Sequence, residues 1–271
     1  MLYFISTPIG NLNDISLRAI DVIRTSEYLY AEDTRHIKKL LDFVDIKFNC
    51  KSFHEHNEEK VSKQIIQKLK DNKMVCIVSD AGTPAISDPG YRLIKLCIQH
   101  NLEYTLIPGP SSVISGLVMS GLPTDKFSFY GFMPKKLGDQ KKIIEKLNYE
   151  EKTAIFFESS KRIKATIENF RKYLDTDRSI SICKEMTKIH ENIIRDKVSK
   201  ILSHIDENQI NLKGELVIVL EGNKENRFKF QINPKIKNEL LSKLSASESA
   251  KLISSITGMN KRDIYKTLIE K

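Results

Sequence analysis

Short apolar runs, each followed by a turn of small residues, recur along the first half of the chain. Leu2–Ile5, Val75–Val78 and Tyr104–Ile107 are such runs, and each is typical of a β-strand. A segment with helical spacing of apolar residues follows each turn, so strands alternate with helices. This alternation predicts an α/β fold with a mostly parallel sheet. In such sheets ligands bind outside the carboxyl ends of the strands, where these turns gather.

The three turns have compositions that suit the wall of a ligand pocket. Their sequences are Thr7-Pro8-Ile9-Gly10-Asn11, Ser79-Asp80-Ala81-Gly82-Thr83-Pro84 and Pro108-Gly109-Pro110-Ser111-Ser112. In turns rich in Pro and Ser, backbone N–H and C=O groups are directed at the ligand. This favours a small polar ligand that is not strongly phosphorylated. The chain contains neither the G-x-G-x-x-G dinucleotide pattern nor a P-loop. It also lacks H-E-x-x-H and G-x-S-x-G, so zinc peptidases and α/β-hydrolases have no support.

Two changes of pattern divide the chain into three predicted parts. The break at Leu122-Pro123-Thr124 separates an N-terminal α/β domain over residues 1–115 from a second α/β domain over 116–222, in which strand directions can be mixed. Beyond Gly222 a basic helical module extends over 223–271. Other predicted elements are a helix capped by Asn13 or Asp14 and running to about Ser26, strands at Tyr28–Ala31, Phe127–Phe132, Thr153–Phe157, Ser179–Cys183 and Leu216–Leu220, and helices at Glu58–Lys70, Gly90–Gln99, Ser112–Ser120 and about Ser160 to Tyr173.

Positive charge is concentrated at the C-terminal end. The chain has a net charge of +9, and residues 224–271 hold eleven Lys and Arg against five Asp and Glu. Such an excess favours an anionic partner. Ser245-Ala246-Ser247-Glu248 forms a capping-box pattern and Asn260 is a second N-cap, which predicts two short helices joined by a glycine turn. Lys261 and Arg262 are candidate nucleic-acid contacts, and a packing appendage with a solvated face fits them equally well.

The cysteines and histidines predict no metal centre. The four cysteines have no close spacing and lie mostly in apolar segments, so buried free thiols are expected at Cys50, Cys76, Cys97 and Cys183. His54-x-His56 lacks the further ligands that a zinc site needs, which favours a solvated loop. No apolar run is long enough to span a membrane, and the N-terminus is typical of a strand and not of a signal peptide. These features predict a cytoplasmic protein.

Several longer motifs, spread in order over residues 2–222, resemble one known family. They are Ser6-Thr7-Pro8-Ile9-Gly10-Asn11-Leu12, Ala31-Glu32-Asp33-Thr34-Arg35-His36, Ser79-Asp80-Ala81-Gly82-Thr83-Pro84, Ser87-Asp88-Pro89-Gly90-Tyr91-Arg92, Pro108-Gly109-Pro110-Ser111, Gly121-Leu122-Pro123-Thr124-Asp125 and Gly131-Phe132-Met133-Pro134-Lys135-Lys136. The chain is similar in these motifs to the 16S rRNA (cytidine-2′-O)-methyltransferase branch of the tetrapyrrole methylase superfamily. The basic tail resembles that branch's small C-terminal helical domain. One departure is Glu158-Ser159-Ser160-Lys161-Arg162, where relatives are expected to have Glu-Ser-Pro-His-Arg.

The resemblance implies a fold, a cofactor and a substrate. The fold would be two α/β domains with S-adenosylmethionine in the cleft between them, usually in a homodimer. The substrate would be a cytidine ribose of 16S rRNA near the decoding centre, either as free rRNA or in the small ribosomal subunit. The residues at the positions that contact the cofactor in the superfamily are Ile9, Gly10, Gly82, Thr83, Ile86, Ser111 and Ser112, with Phe157, Cys183 and Gly214 from the second domain.

Charged side chains at predicted strand ends are the candidates for catalysis and RNA binding. A ribose hydroxyl is a poor nucleophile, so a base or charge that removes its proton would help methyl transfer. The catalytic candidates are Asp80, Glu32, Asp33, Arg35, Glu158 and Lys188. Each also has a purely structural explanation, such as loop capping by Asp80 or an i, i+4 pair between Glu158 and Arg162. Lys135, Lys136 and Arg35, together with Lys261 and Arg262, are the candidates for phosphate contacts.

Two other functions remain open at this point. A methylase of the same superfamily could act on a tetrapyrrole-like small molecule, although the basic tail disfavours a small substrate. A non-catalytic RNA-binding or assembly protein could keep the fold, although the intact cofactor-type turns disfavour that reading.

Overall fold

The structure is a computed structural model that describes residues 1–223, residue 232 and residues 234–269. These residues form two five-stranded sheets, the helices that cover them, and a small group of C-terminal helices. The predicted mixed α/β architecture is therefore confirmed. Residues 224–231, 233, 270 and 271 of the predicted basic module lie outside the described residues.

The first sheet is entirely parallel, with strand order β3-β2-β4-β1-β5. Its strands are β1 (Leu2–Ile5), β2 (Tyr28–Ala31), β3 (Lys51–Ser52), β4 (Val75–Val78) and β5 (Tyr104–Ile107), and its helices are α1 (Leu17–Thr25), α2 (Thr34–Phe43), α3 (Glu58–Lys70) and α4 (Tyr91–Gln99). Apolar clusters cover both faces of this sheet, which is why its central strand β4 is buried throughout. A strand buried on both faces gives the continuous apolar run seen in the sequence.

The second sheet has mixed strand directions and the order β6-β7-β10-β8-β9. It consists of β6 (Phe127–Phe132), β7 (Thr153–Ser159), β8 (Ser179–Lys184), β9 (Asn192–Lys197) and β10 (Glu215–Leu220). Only β6 and β7 run parallel among its pairs, and the other neighbours are antiparallel. Helices α6 (Leu137–Leu147), α7 (Ile163–Tyr173) and α8 (Val198–Asp206) carry residues of the apolar cluster on one face.

One helix connects the two sheets: it follows the last strand of the first sheet and packs against the second sheet. Helix α5 (Ser112–Ser120) follows β5, and its Val113 and Leu117 join an apolar cluster with Cys183 and Val217 of the second sheet. The approach is close, because a Cβ at Gly116 would lie 2.8 Å from a methyl group of Val217. The predicted division at residues 115 and 116 falls inside this helix and stays a prediction.

The C-terminal helices have the predicted caps. They are α9 (Pro234–Leu241), α10 (Ala246–Thr257) and α11 (Lys261–Ile269). Ser245 and Glu248 form the reciprocal capping box, and Asn260 accepts a hydrogen bond from the Arg262 N–H at 2.8 Å. Ile264 and Leu268 of α11 are buried against α10, whereas Tyr265, predicted on the same face, is 40% exposed.

Some predicted details were wrong or missing. Ser16, and not Asn13 or Asp14, caps α1, because Asn13 and Asp14 belong to a preceding 3-10 turn over Leu12–Asp14. Strand β9 was not predicted because four of its six residues are exposed and only two are apolar. Helices α2, α6, α8 and α9 and the two-residue strand β3 were not predicted either.

Candidate functional site

A cavity of about 440 Å³ lies between the carboxyl edge of the first sheet and the second sheet. Its size is typical of a small-molecule site. The first half of the chain contributes residues from the turns after β1, β2, β4 and β5, and the second half contributes the ends of β6, β7 and β8 and the start of β10. The lining residues are Ile9, Glu32, Asp80, Ala81, Gly82, Thr83, Ile86, Ser87, Asp88, Ser111, Ser112, Val113, Phe132, Phe157, Glu158, Ser159, Ser160, Met186, Gly214, Glu215, Leu216 and Val217.

The turns of the first sheet are joined to one another by hydrogen bonds. Thr7 and Gly82 exchange two backbone hydrogen bonds, of 2.9 and 3.0 Å, so the turns after β1 and β4 form a short bridge. The Ser79 hydroxyl donates to the Gly82 carbonyl at 2.8 Å, and the Thr7 hydroxyl donates to the Ser79 carbonyl at 3.0 Å. Gly109 of the third turn lies close to Ser6, because a Cβ added at Gly109 would be 3.0 Å from the Ser6 Cβ. These contacts make the cavity wall a preformed surface.

The segment between β4 and α4 has an unusual backbone. Ala85 and Ser87 have φ values of +68° and +63°, in the left-handed region that few non-glycine residues adopt. The segment is fixed at its far end by Glu58 of α3, whose buried carboxylate accepts the Gly90 N–H at 2.9 Å and the Arg92 N–H at 3.3 Å. Glu58 thus caps α4 from a neighbouring helix and holds the loop over the cavity.

The N-terminus of α5 opens toward the cavity. Ser111 is its N-cap, and no side chain among the described residues makes a capping hydrogen bond there. Both Ser111 and Ser112 line the cavity. Unpaired N–H groups at a helix N-terminus attract negative charge, so this end of the cavity suits a carboxylate.

Three carboxylates also line the first wall. Glu32 follows β2, Asp80 follows β4, and Asp88 lies in the loop before α4. The Asp80 carboxylate accepts the Asp33 N–H at 2.9 Å. Burial, together with the negative charge of Asp80, raises the pKa of Glu32. Burial and the charges of Glu32 and Asp80 raise the pKa of Asp88 to about 7.

Glu158 lies in the second wall and has a complete set of partners. Its side chain is fully buried, and Oε1 accepts hydrogen bonds from the Ser159 N–H and Arg162 Nε, both at 2.8 Å. Oε2 accepts the Thr166 hydroxyl at 2.6 Å. Arg162 also donates to the Met133 carbonyl at 2.9 Å, which ties β7 to the loop after β6. The i, i+4 pair considered in the sequence analysis is therefore present.

Lys188 lies beside the cavity and not in its wall. Its Nζ donates to Glu185 at 3.1 Å and to Glu215 at 3.0 Å. Burial opposes the charged form, but the hydrogen bonds that Lys188 donates to these two carboxylates outweigh it, so the pKa of Lys188 is raised. A Cβ at Gly10 would lie 2.5 Å from the Lys188 side chain and 2.6 Å from the Thr187 hydroxyl. Gly10 thus permits contact between the two halves of the chain and does not line the cavity.

The other predicted residues lie at the surface or behind the wall. Asp33 accepts the Arg35 N–H at 2.8 Å and pairs with the Arg35 guanidinium, which holds the pKa of Asp33 well below its usual range. Arg35 is 89% exposed. Cys183 is buried behind the cavity, where its thiol contacts the Gly116 carbonyl at 3.5 Å. The four candidate phosphate ligands Lys135, Lys136, Lys261 and Arg262 are all exposed.

Most of the predicted cofactor positions line the cavity, and several lining residues were not predicted. Ile9, Gly82, Thr83, Ile86, Ser111, Ser112, Phe157 and Gly214 line it, as do Glu32, Asp80 and Glu158 from the catalytic set. Asp88 was missed as a site residue, although its position in the same loop as Asp80 and Thr83 was a usable signal. The remaining unpredicted lining residues are Ala81, Ser87, Val113, Phe132, Ser159, Ser160, Met186, Glu215, Leu216 and Val217.

The cysteines are free, as predicted, and Cys50 is half-buried whereas the other three are buried. Among residues 1–223, 232 and 234–269, no group of three or more His, Cys, Asp or Glu side chains could hold a metal ion. Within the described part of the chain, no helix has the length and apolar character needed to cross a membrane.

Solved structures with a similar fold are methylases and related enzymes. Diphthine synthase aligns with a TM-score of 0.62 at 15% identity, over 81% of this chain and 89% of its own. Cobalt precorrin-4 methyltransferase aligns with a TM-score of 0.58 at 16% identity, over 81% and 94%. At such low identity the likeness establishes the fold class alone.

Sequence comparisons define the family. A family model for tetrapyrrole (corrin/porphyrin) methylases matches residues 1–202, and the chain belongs to this family. It is 36% identical to ribosomal RNA small subunit methyltransferase I of Halalkalibacterium halodurans, over 97% of this chain and 93% of the relative. The Escherichia coli O157:H7 protein of the same name is 34% identical over 99% and 94%. The chain is thus a methyltransferase.

A third relative, from Thermotoga maritima, differs in extent. It has the same name and is 40% identical over 82% of this chain and 98% of its own length. It therefore has no counterpart for about a fifth of the present chain, although the enzyme name is shared.

Proposed function

We propose that this protein is an S-adenosylmethionine-dependent methyltransferase that modifies the 2′-hydroxyl of a cytidine in 16S rRNA, near the decoding centre, in the cytoplasm. The observation that carries the proposal is the cavity, whose wall is built from the family's motifs, in a chain similar over nearly its whole length to enzymes named for small-subunit rRNA methylation.

The cavity residues fit the methyl donor. S-adenosylmethionine has a carboxylate, an ammonium group, a sulfonium and an apolar-faced adenine. The open N-terminus of α5 at Ser111 and Ser112 suits the carboxylate, and the Glu32 and Asp80 carboxylates of the first wall suit positive charge. The side chains that would hold the rest are apolar or small: Ile9, Gly82, Thr83, Ile86, Phe157 and Gly214. When bound, the donor supplies an already activated methyl group, so the protein has mainly to position the acceptor in line with it.

The exposed cations would bind the RNA backbone. Lys135 and Lys136 follow Phe132, which lines the cavity, and Arg35 follows Glu32 at the opposite side. Lys261 and Arg262 lie at the exposed start of α11. Each phosphate contact releases counterions, so affinity for small-subunit rRNA should fall steeply with added salt. An affinity unchanged between low and moderate salt would contradict this assignment.

A homodimer is part of the proposal. Helix α5 and the edge strand β5 both have exposed apolar side chains, including Ile114, Val118, Tyr104 and Leu106. Such residues are common where subunits pack. Light scattering of the purified protein should give twice the chain mass of 31.2 kDa.

The decisive test of the reaction uses tritium-labelled S-adenosylmethionine and small ribosomal subunits from cells lacking this gene. Label is expected in 16S rRNA, together with resistance to alkaline cleavage at one nucleotide, because a 2′-O-methyl group blocks attack on the adjacent phosphate. Bound donor without label in rRNA would instead favour a small-molecule acceptor. Loss of donor binding as well would favour a non-catalytic RNA-binding protein.

A further inference from the structure

One carboxylate of the cavity wall is not accounted for by donor or RNA binding. Asp88 is half-buried in the loop between β4 and α4 and lines the cavity. Among the residues that the structure describes, none donates a hydrogen bond to its carboxylate and none forms an ion pair with it. Burial of a carboxylate without partners disfavours its charged form, so its position needs an explanation.

The geometry points to Asp88 as a catalytic residue, the base that removes the proton from the hydroxyl group that is methylated. The assignment rests on the proposed function. The hydroxyl O–H bond breaks and its proton passes to an Asp88 carboxylate oxygen. The oxygen's electron pair forms the new bond to the methyl carbon, and the electron pair of the former carbon–sulfur bond stays on the donor's sulfur. Asp88 then releases the proton to solvent.

The charged groups around Asp88 keep it available for this role. On the first wall Glu32 and Asp80 lie near it, and the charge of each raises the pKa of Asp88. His54, in the loop before α3, acts on Glu32 in the opposite direction and lowers the pKa of Glu32. From α3 and α4, Glu58 is held by the Gly90 N–H, with the Arg92 guanidinium at 4.0 Å.

The cations beside the second wall are likewise engaged elsewhere. Arg162 is bound to Glu158, and Lys188 is bound to Glu185 and Glu215. No cation among the described residues therefore pairs with Asp88, and the two acids near it oppose its ionisation. A base is most effective when its pKa lies near the working pH, and the value of about 7 for Asp88 meets that condition.

The other carboxylates of the cavity are less suited to accept a proton. Glu158 already accepts three hydrogen bonds, and its charge is compensated by Arg162. The Asp80 carboxylate already accepts a hydrogen bond from the Asp33 N–H at 2.9 Å. Glu32 has no such donor, but its role in this arrangement is electrostatic, since its charge opposes ionisation of Asp88.

The test is a pH profile of single-turnover methyl transfer to small subunits, with saturating labelled donor, between about pH 5 and 9. The wild-type rate should rise with pH and level off above about 7. Asp88→Asn should lower the rate about 10²- to 10⁴-fold and abolish the rise. By calorimetry, the affinity of Asp88→Asn for the donor should be within about threefold of that of wild type. Unchanged binding would place the loss of rate in the reaction step, whereas weakened binding would not.

Two further variants make the test specific. Glu32→Gln removes a negative neighbour of Asp88, so the rise should move to lower pH, an effect that a purely structural role of Asp88 would not produce. Asp21→Asn is the matched control, because Asp21 is exposed on α1 and does not line the cavity. Its rate and pH profile should equal those of wild type.

Failure of the inference is distinguishable from failure of the proposed function. If wild type labels rRNA and Asp88→Asn keeps its rate and pH dependence, Asp88 is not the base and the function stands. A slower variant with an unchanged pH profile, or one that loses donor affinity more than tenfold, also overturns the assignment. If wild type itself transfers no label, the proposed function fails and the role of Asp88 fails with it.

Discussion

The two walls of the cavity both contain carboxylates, but in opposite electrostatic situations. Glu158 of the second wall is fully buried, with an arginine, a hydroxyl and a backbone N–H as partners. Asp88 and Glu32 of the first wall have no such partners among the described residues, and burial raises the pKa of both. A carboxylate whose partners satisfy it stabilises the fold, whereas one left unpaired in a cavity is available for chemistry.

The difference also separates a structural wall from a reactive one. Beside the second wall, Lys188 binds Glu185 and Glu215 as Arg162 binds Glu158. Substitutions in the second wall should therefore act mainly on stability. Those in the first wall should act mainly on proton transfer and on the pH dependence of stability.

The largest expected loss of stability follows from breaking the Glu158 network. Glu158→Gln leaves Arg162 without its counter-ion and should lower the free energy of unfolding by about 3 kcal/mol, because a buried charge loses its partner. Arg162 is partly exposed, which places the effect at the lower end for buried pairs. Urea unfolding measures it, with Glu59→Gln, from an exposed pair with Lys63, as the control. A change no larger than in the control would mean that the second wall is not held together by this pair.

A smaller loss of stability is expected from a substitution at Gly214, in the second wall. Gly214 has a φ of +116°, and an added Cβ would lie 2.6 Å from Glu185 atoms, one of which accepts the Glu215 N–H. Gly214→Ala should lower the free energy of unfolding by about 1–3 kcal/mol and weaken donor binding. Gly138→Ala, where nothing lies within 4 Å of the added carbon, is the matched control and should cost nothing. Equal effects in the two variants would mean that the contact with Glu185 is not the cause of the loss.

An effect of opposite sign is expected at Asp88. Because folding raises the pKa of Asp88 from 3.8 to about 7, the wild type loses stability as the pH rises through this interval. Asp88→Asn cannot ionise, so the variant should be the more stable protein at pH 8, and the gain should shrink toward zero near pH 4. Thermal unfolding of both proteins across this range measures the difference. A pH-independent difference would show that the Asp88 carboxylate is not electrostatically disfavoured.

Much of the fold could be predicted from local pattern. The bounds of β1, β2, β4, β5, α3 and α5 agree with the prediction, because each is either a continuous apolar run or a clear amphipathic repeat between turns. Strand β9 escaped prediction because it is an edge strand whose residues are mostly polar. The cap of α1 was misassigned because Asn13, Asp14 and Ser16 are all good N-cap residues, and only the preceding turn decides among them.

The candidate site was predictable as far as motifs lie on one sheet edge. Ile9, Thr83 and Ser111 were placed together because parallel strands bring their carboxyl ends to the same edge. Gly10 and Cys183 belong to the same kinds of segment but face away from the cavity. At Gly10 the Lys188 side chain packs on the backbone and leaves no room for a Cβ. These two residues are far apart in the chain, so spacing alone does not reveal their contact.

The sequence by itself determined the alternation of strands and turns, the family and the set of polar residues at the strand ends. Only the tertiary structure decided which of those carboxylates have a hydrogen-bond or arginine partner. The sequence made Glu158 a candidate and not Asp88, because the partners that distinguish the two carboxylates come from residues that the fold brings close. Arg162 is near enough in sequence to be suspected as a partner of Glu158, whereas the isolation of Asp88 between Glu32 and Asp80 arises only when β2 and β4 lie side by side.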